Sequence, residues 1–101
     1  MKKRIRKKLH IGEYADYSFM LTGKLAAMDE EAEDRFFTRM LTLAEDCRCW
    51  FDGVFGDDFF DLEVITGPAH CLNEERRAAL LDGLKEIKEI TEFNAGELAA
   101  R

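Results

Sequence analysis

The chain has a single proline in 101 residues, two histidines, three cysteines and, before Glu13, no acidic residue at all. Each scarcity removes a class of function. No apolar run approaches the roughly 18 residues of a membrane span. The basic start leads into His10, Gly12 and Glu13 rather than into the apolar stretch of a secretion signal. The expected location is therefore the cytoplasm, with no membrane partner. Cys47, Cys49 and Cys71 cannot all pair within one chain, and a domain of this size folds without disulfides, which fits a reducing compartment. Catalytic equipment is thin. A nucleophile needs a base and an orienting partner, yet His10 lies beside the basic start, and His70, adjacent in sequence to Cys71, cannot easily face it. No glycine loop suited to a phosphate is present. The residues alone assemble no recognisable catalytic site, and no cofactor or small-molecule substrate is expected.

What is present is enough for one core. Hydrophobic residues make up 47% of the chain and charged residues 36%, a composition that folds instead of staying disordered. At this length the chain fits a single domain. The charge is unevenly placed. Lys2, Lys3, Arg4, Arg6, Lys7 and Lys8 put six cations into the first eight residues, so the formal net charge of −6 conceals a remainder with nine cations against 21 acids, formally −12. An acidic body repels a polyanion, whereas the basic segment attracts one by displacing condensed counterions. Blocks of like charge are also commonly solvated tails that aid solubility, and such a segment can fold back onto the body's own acids.

The remaining residues alternate between strand and helix patterns. From Tyr17 to Leu25, apolar side chains recur with period two, as in a half-buried strand. Asp29 offers an N-cap, Glu30, Glu31 and Glu33 complement the helix dipole, and Phe36, Phe37, Met40, Leu41 and Ala44 follow at helical spacing to about Glu45. Cys47 to Phe51 reads as a second strand, Asp52-Gly53 and Gly56-Asp57 as turn signals, and Phe60, Leu62 and Val64, alternating with Asp61 and Glu63, as a third strand. Gly67-Pro68 then breaks the pattern. Asn73 offers a second N-cap before a helix bearing Leu80, Leu81, Leu84 and Ile87, in which Gly83 lowers the helix propensity. Ile90 to Phe93 suits a short edge strand. The expectation is α+β: one β-α-β-β-α(-β) sandwich, ferredoxin-like, over residues 13–101, with a disordered basic arm at 1–12.

Other candidate sites have plainer readings. Cys47-x-Cys49 with His70-Cys71 supplies four zinc-capable side chains, but the spacing departs from the usual pattern, and burial of the cysteines as small hydrophobes is the simpler account. No metal site is expected. Asp52, Asp57, Asp58, Asp61 and Glu63 read as a solvated acidic face. Trp50, Phe51, Phe55, Phe59 and Phe60 cluster around the hairpin, where exposed rings could stack on RNA bases. Most should be core, and Phe59 shares its face with Asp61 and Glu63. An exposed Phe55 or Phe59 would therefore suit a protein partner at least as well as RNA.

The run Arg4-Ile5-Arg6-Lys7-Lys8-Leu9-His10-Ile11-Gly12-Glu13-Tyr14, followed by Tyr17-Ser18-Phe19, resembles the opening of the YggL family of bacterial ribosome-binding proteins. Trp50-Phe51-Asp52-Gly53 before an acidic-hydrophobic strand, Cys71 before the second helix and Glu97-Leu98 near the end extend the likeness along most of the chain. The ending Leu98-Ala99-Ala100-Arg101 departs from it by lacking tryptophan. The resemblance implies a non-enzymatic protein that binds the large (50S) ribosomal subunit, through rRNA and ribosomal proteins, in its biogenesis or in modulating the ribosome. It also implies Arg4, Arg6, Lys7 and Lys8, with His10 beside them, as rRNA contacts by phosphate neutralisation. The alternative is a protein-interaction module, a homodimer or adaptor, whose arm only aids solubility.

Overall fold

Phe19 and Leu21 on one strand, Phe51 and Phe55 on another and Phe60, Leu62 and Val64 on a third alternate with exposed residues and meet Phe36, Met40, Leu80 and Leu84 from two helices in one buried cluster. A computed structural model describes residues 3–5, 16–68 and 71–100 of the chain. Among the described residues the order is β1 (Lys3–Ile5), β2 (Asp16–Leu25), α1 (Glu30–Asp46), β3 (Trp50–Phe55), β4 (Phe59–Pro68), α2 (Asn73–Lys85), β5 (Ile90–Ala95) and β6 (Ala99–Ala100). The strands form one sheet in the order β1-β3-β4-β2-β5, with β6 also paired to β2. Every pairing is antiparallel. The α+β expectation holds. β2, α1 and β3 form a crossover unit with β4 inserted between its two strands.

Local chemistry accounts for α1. The Asp29 carboxylate accepts a hydrogen bond from the Ala32 N–H at 2.8 Å, and Glu30, Glu31 and Glu33 occupy the first turn, so the donors left unpaired at the helix start face negative charge. Phe36, Met40 and Ala44, at spacing four, form its buried stripe. The helix ends at Cys47, and Arg48 at φ 57° turns the chain toward β3. Gly83 of α2 has a packing reason. A Cβ there would meet the end of the Leu43 side chain of α1, so the missing side chain leaves room for that leucine.

Several expectations are corrected. Lys3–Ile5, assigned to a disordered arm, pairs with β3 as an edge strand. Cations suit an edge because they discourage further strand addition. The second strand begins at Trp50, not Cys47, because the left-handed Arg48 keeps residues 47–49 out of the sheet. Asp52-Gly53 is not a turn but the middle of β3, with Gly53 opposite both Ile5 and Leu62. The reversal falls at residues 56–58. Gly67-Pro68 does not break the pattern either, since β4 runs through both residues.

Asn73 does not cap α2. Its position as first helical residue, after Leu72, leaves its amide for another task. Between Tyr17 opposite Gly67 and Ser18 opposite Ile65, Thr66 is an extra residue in β4, a bulge that turns its hydroxyl inward. That hydroxyl donates to Asn73 Oδ1 at 2.6 Å and lies 3.3 Å from the Tyr17 carbonyl, while Asn73 Nδ2 donates to the carbonyls of Pro68 at 2.8 Å and Cys71 at 3.3 Å. One buried amide thus joins the end of β4 to the start of α2. Asn73→Ala should lower the unfolding free energy by about 1–3 kcal/mol, the cost of stranding buried polar groups. Urea denaturation measures it, and an unchanged midpoint would remove the amide from the account.

Candidate functional site

The sheet has two unlike faces. Ile5 packs against the core, so its neighbour Arg4 emerges on the opposite face, exposed and opposite Val54 of β3. The register continues the row from Val54 to Asp61, Thr22 and Asn94. A second row runs Asp52, Glu63, Met20 and a third Trp50, Ile65, Ser18. At the turn end Lys24 lies opposite Phe59 and Glu92, bonding to the Glu92 carboxylate at 3.4 Å. No helix residue belongs to these rows.

Alternation explains what this face carries. Side chains of successive strand residues point to opposite sides, so Trp50, Asp52 and Val54 lie outside while Phe51 and Phe55 lie inside. On β4, Phe59, Asp61 and Glu63 take the outer positions and Phe60, Leu62 and Val64 the inner ones. Trp50 is 50% exposed, Phe59 45% and Met20 53%, whereas Ile65, in the Trp50 row, and Phe55, on the inner face, are wholly buried. Of the two rings considered for a partner, only Phe59 is available. Ser18 donates to Glu63 Oε2 at 2.8 Å.

Of the basic positions singled out in the sequence, Arg4 stands on the edge strand beside this face. Arg6, Lys7, Lys8 and His10 lie outside the described residues, as does His70. The edge strand itself escaped the sequence reading because three residues are too few for a period-two signal. The signal that could have found it was Ile5, the one apolar residue inside the cationic run.

Two of the thiols, Cys47 and Cys49, hold their protons more tightly than usual. Burial, followed by the neighbouring Cys47 thiol, pushes Cys49 up to about 12, with Arg76 only partly offsetting them. Burial and then the Asp46 carboxylate raise Cys47 as well. A thiol that keeps its proton is a poor nucleophile and a poor metal ligand, and among the described residues no three metal-capable side chains converge. The shift has a consequence for stability. Below the ordinary value of 9.0 both folded and unfolded states keep the Cys49 proton, and the thiol adds no pH dependence. Between 9.0 and about 12 only the unfolded thiol ionises, so stability should fall by about 1.4 kcal/mol per pH unit from this group. Unfolding curves on either side of that lower limit should show Cys49→Ala gaining on the parent as pH rises. A constant difference would mean that Cys49 ionises normally.

No helix among the described residues is long and apolar enough to cross a membrane. A family model described as YggL 50S ribosome-binding protein matches residues 3–100. No curated protein and no solved structure matches the chain.

Proposed function

The chain belongs to the YggL 50S ribosome-binding protein family, and from that premise we propose that it is a non-enzymatic accessory protein that grips rRNA of the large subunit through its basic N-terminal segment. It acts in the bacterial cytoplasm, in biogenesis of the subunit or in modulating the ribosome. The observation that carries this reading is the separation of charge: six cations in eight residues, attached to a remainder of formal charge −12. Such a molecule is steered toward a polyanion with its basic end foremost. Residues 1–12 lead, with Arg4, Arg6, Lys7 and Lys8 neutralising phosphates and His10 adding a hydrogen bond, while the acidic body is held away from the backbone.

β1 supports the reading in a second way. Strand pairing holds Arg4 at the sheet edge, so less conformational entropy is lost there when it meets RNA than a free tail would lose. Residues 13–101 serve as a ferredoxin-like sandwich that carries this segment. Arginine adds what lysine cannot, a planar fork able to grip a phosphate with two bonds or to stack on a base.

Sedimentation tests the proposal. The intact protein should travel with 50S subunits through a low-salt sucrose gradient and leave them at high salt. The variant with alanine at Arg4, Arg6, Lys7 and Lys8 should stay at the top in both. If that variant enters the 50S peak as the parent does, the basic segment is not the contact. A deletion of residues 1–9 that leaves binding intact would instead favour a protein-interaction module.

A further inference from the structure

The helices cover one face of the sheet, and the other face is not neutral ground. Met20, Val54 and Phe59 bound a shallow hollow of about 420 Å³ together with Asp52, Asp61 and Glu63, and Trp50 stands half-exposed beyond the Asp52–Glu63 row. Exposed apolar side chains grouped within a rim of like charge mark a surface built to be covered.

The charge decides what covers it. Exposed rings on an open sheet can stack on bases, but each base brings a phosphate. Here those phosphates would lie within a few ångströms of Asp52 and Asp61, which stand opposite Glu63 and Val54 in the register. Of the cations beside the hollow, Lys24 bonds to Glu92 and Arg4 stands at the edge, opposite Val54. A cationic polypeptide meets the opposite situation. Lysine and arginine lay apolar stems along aromatic rings while their charged heads reach carboxylates, and a guanidinium over an indole gains further.

We infer that the outer face bearing Met20, Phe59 and Trp50 docks a protein segment rich in lysine or arginine, whose apolar stems lie on the rings and whose charged heads meet Asp52 and Asp61. This rests on the ribosomal reading above for where the partner resides, within the large subunit, and adds its chemical class: protein, not RNA. The basic segment and the acidic face then take two partners of opposite charge. Arg4, at the edge, lies between them.

The sign of one effect tests this. Asp52→Asn with Asp61→Asn removes two negative charges and leaves the basic segment untouched. Docking on a cationic protein segment predicts that affinity for purified 50S subunits falls about tenfold, as expected when two partly exposed charge pairs are lost. Packing of this face on RNA predicts a rise, because repulsion is removed. Trp50→Ala should weaken binding about tenfold or more, as truncated interface tryptophans do, and the thermal midpoint of each variant checks that it folds. Independently, a benzophenone side chain at Phe59, irradiated with purified subunits, should form a protease-sensitive adduct whose captured peptide carries net positive charge. An increase or no change in affinity for the double variant overturns the inference. So does an adduct with rRNA, or no adduct while the protein still sediments with the subunit. Failure of the unaltered protein to sediment with 50S at all is a different result: it overturns the ribosomal reading and removes this partner with it.

Discussion

Alanine in place of Phe55 is expected to lower the free energy of unfolding by about 3–5 kcal/mol, the usual loss for a fully buried phenylalanine. The position explains the size. Phe55 ends β3 with no exposed surface. It meets Phe36 edge-on at 5.9 Å and 82°, Phe37 at 5.4 Å and 76° and Phe60 at 6.1 Å. Two of these rings come from α1 and one from β4, so the truncation opens a cavity where helix and hairpin join, and edge-to-face pairs carry energy beyond their buried area. A domain of this size has about 5–15 kcal/mol in total, so the variant should be close to unfolding at ordinary temperature. Phe55→Leu should cost distinctly less because most of the volume stays. Circular dichroism in urea separates the two. Equal losses would mean that the volume leucine keeps recovers nothing, and that the cavity is not the source of the cost.

Gly53→Ala should be nearly as damaging, by about 3 kcal/mol or more, although it adds a single methyl group. Gly53 holds φ at +156°, a conformation that L residues rarely adopt, and a Cβ there would press on the Asp61 carbonyl oxygen and come within 2.8 Å of Leu62 Cα. Both obstacles are backbone and cannot swing aside. Ile5 and Leu62 flank this glycine on the two neighbouring strands, so the substitution should loosen β1 together with the hairpin. Gly96→Ala is the control. A Cβ at Gly96 meets nothing closer than 3.7 Å, and its effect should stay within about 0.5 kcal/mol. If the two alanine variants unfold alike in urea, close backbone approach is not why Gly53 is there.

Gly53 also shows where the sequence ceases to be legible. Asp-Gly followed by Gly-Asp is strong local turn chemistry, and only the second pair lies at the reversal. The first glycine answers to a neighbouring strand's backbone, which no window of local sequence contains. Asn73 is a similar case, since the residue type that caps helices also braces loops, and the choice depended on the Thr66 bulge. By contrast, the elements with many periodic residues were readable: Phe19, Leu21 and Leu25 in β2, the Asp29 cap with Phe36, Met40 and Ala44 in α1, and Phe60, Leu62 and Val64 in β4. Burial at fixed intervals leaves its record in the chain itself.

The candidate site divides in the same way. Charge asymmetry is a property of composition, so the contrast between the basic start and the acidic remainder was visible at once. The acidic outer row of β4 followed from alternation, and with it the exposure of Phe59. Arg4's place on an edge strand was hidden, because three residues give no pattern. The pairing of the Asp52 row with Met20 depends on strand order, which sequence does not state.

The most direct test of the central claim is the dependence of 50S affinity on salt, for the intact protein and for the variant with alanine at Arg4, Arg6, Lys7 and Lys8. Neutralising about four to six phosphates predicts a slope near −3 to −5 for the logarithm of affinity against the logarithm of salt concentration, and a much flatter line for the variant. A slope near zero for the intact protein, or the same slope for both, would contradict binding through the basic segment.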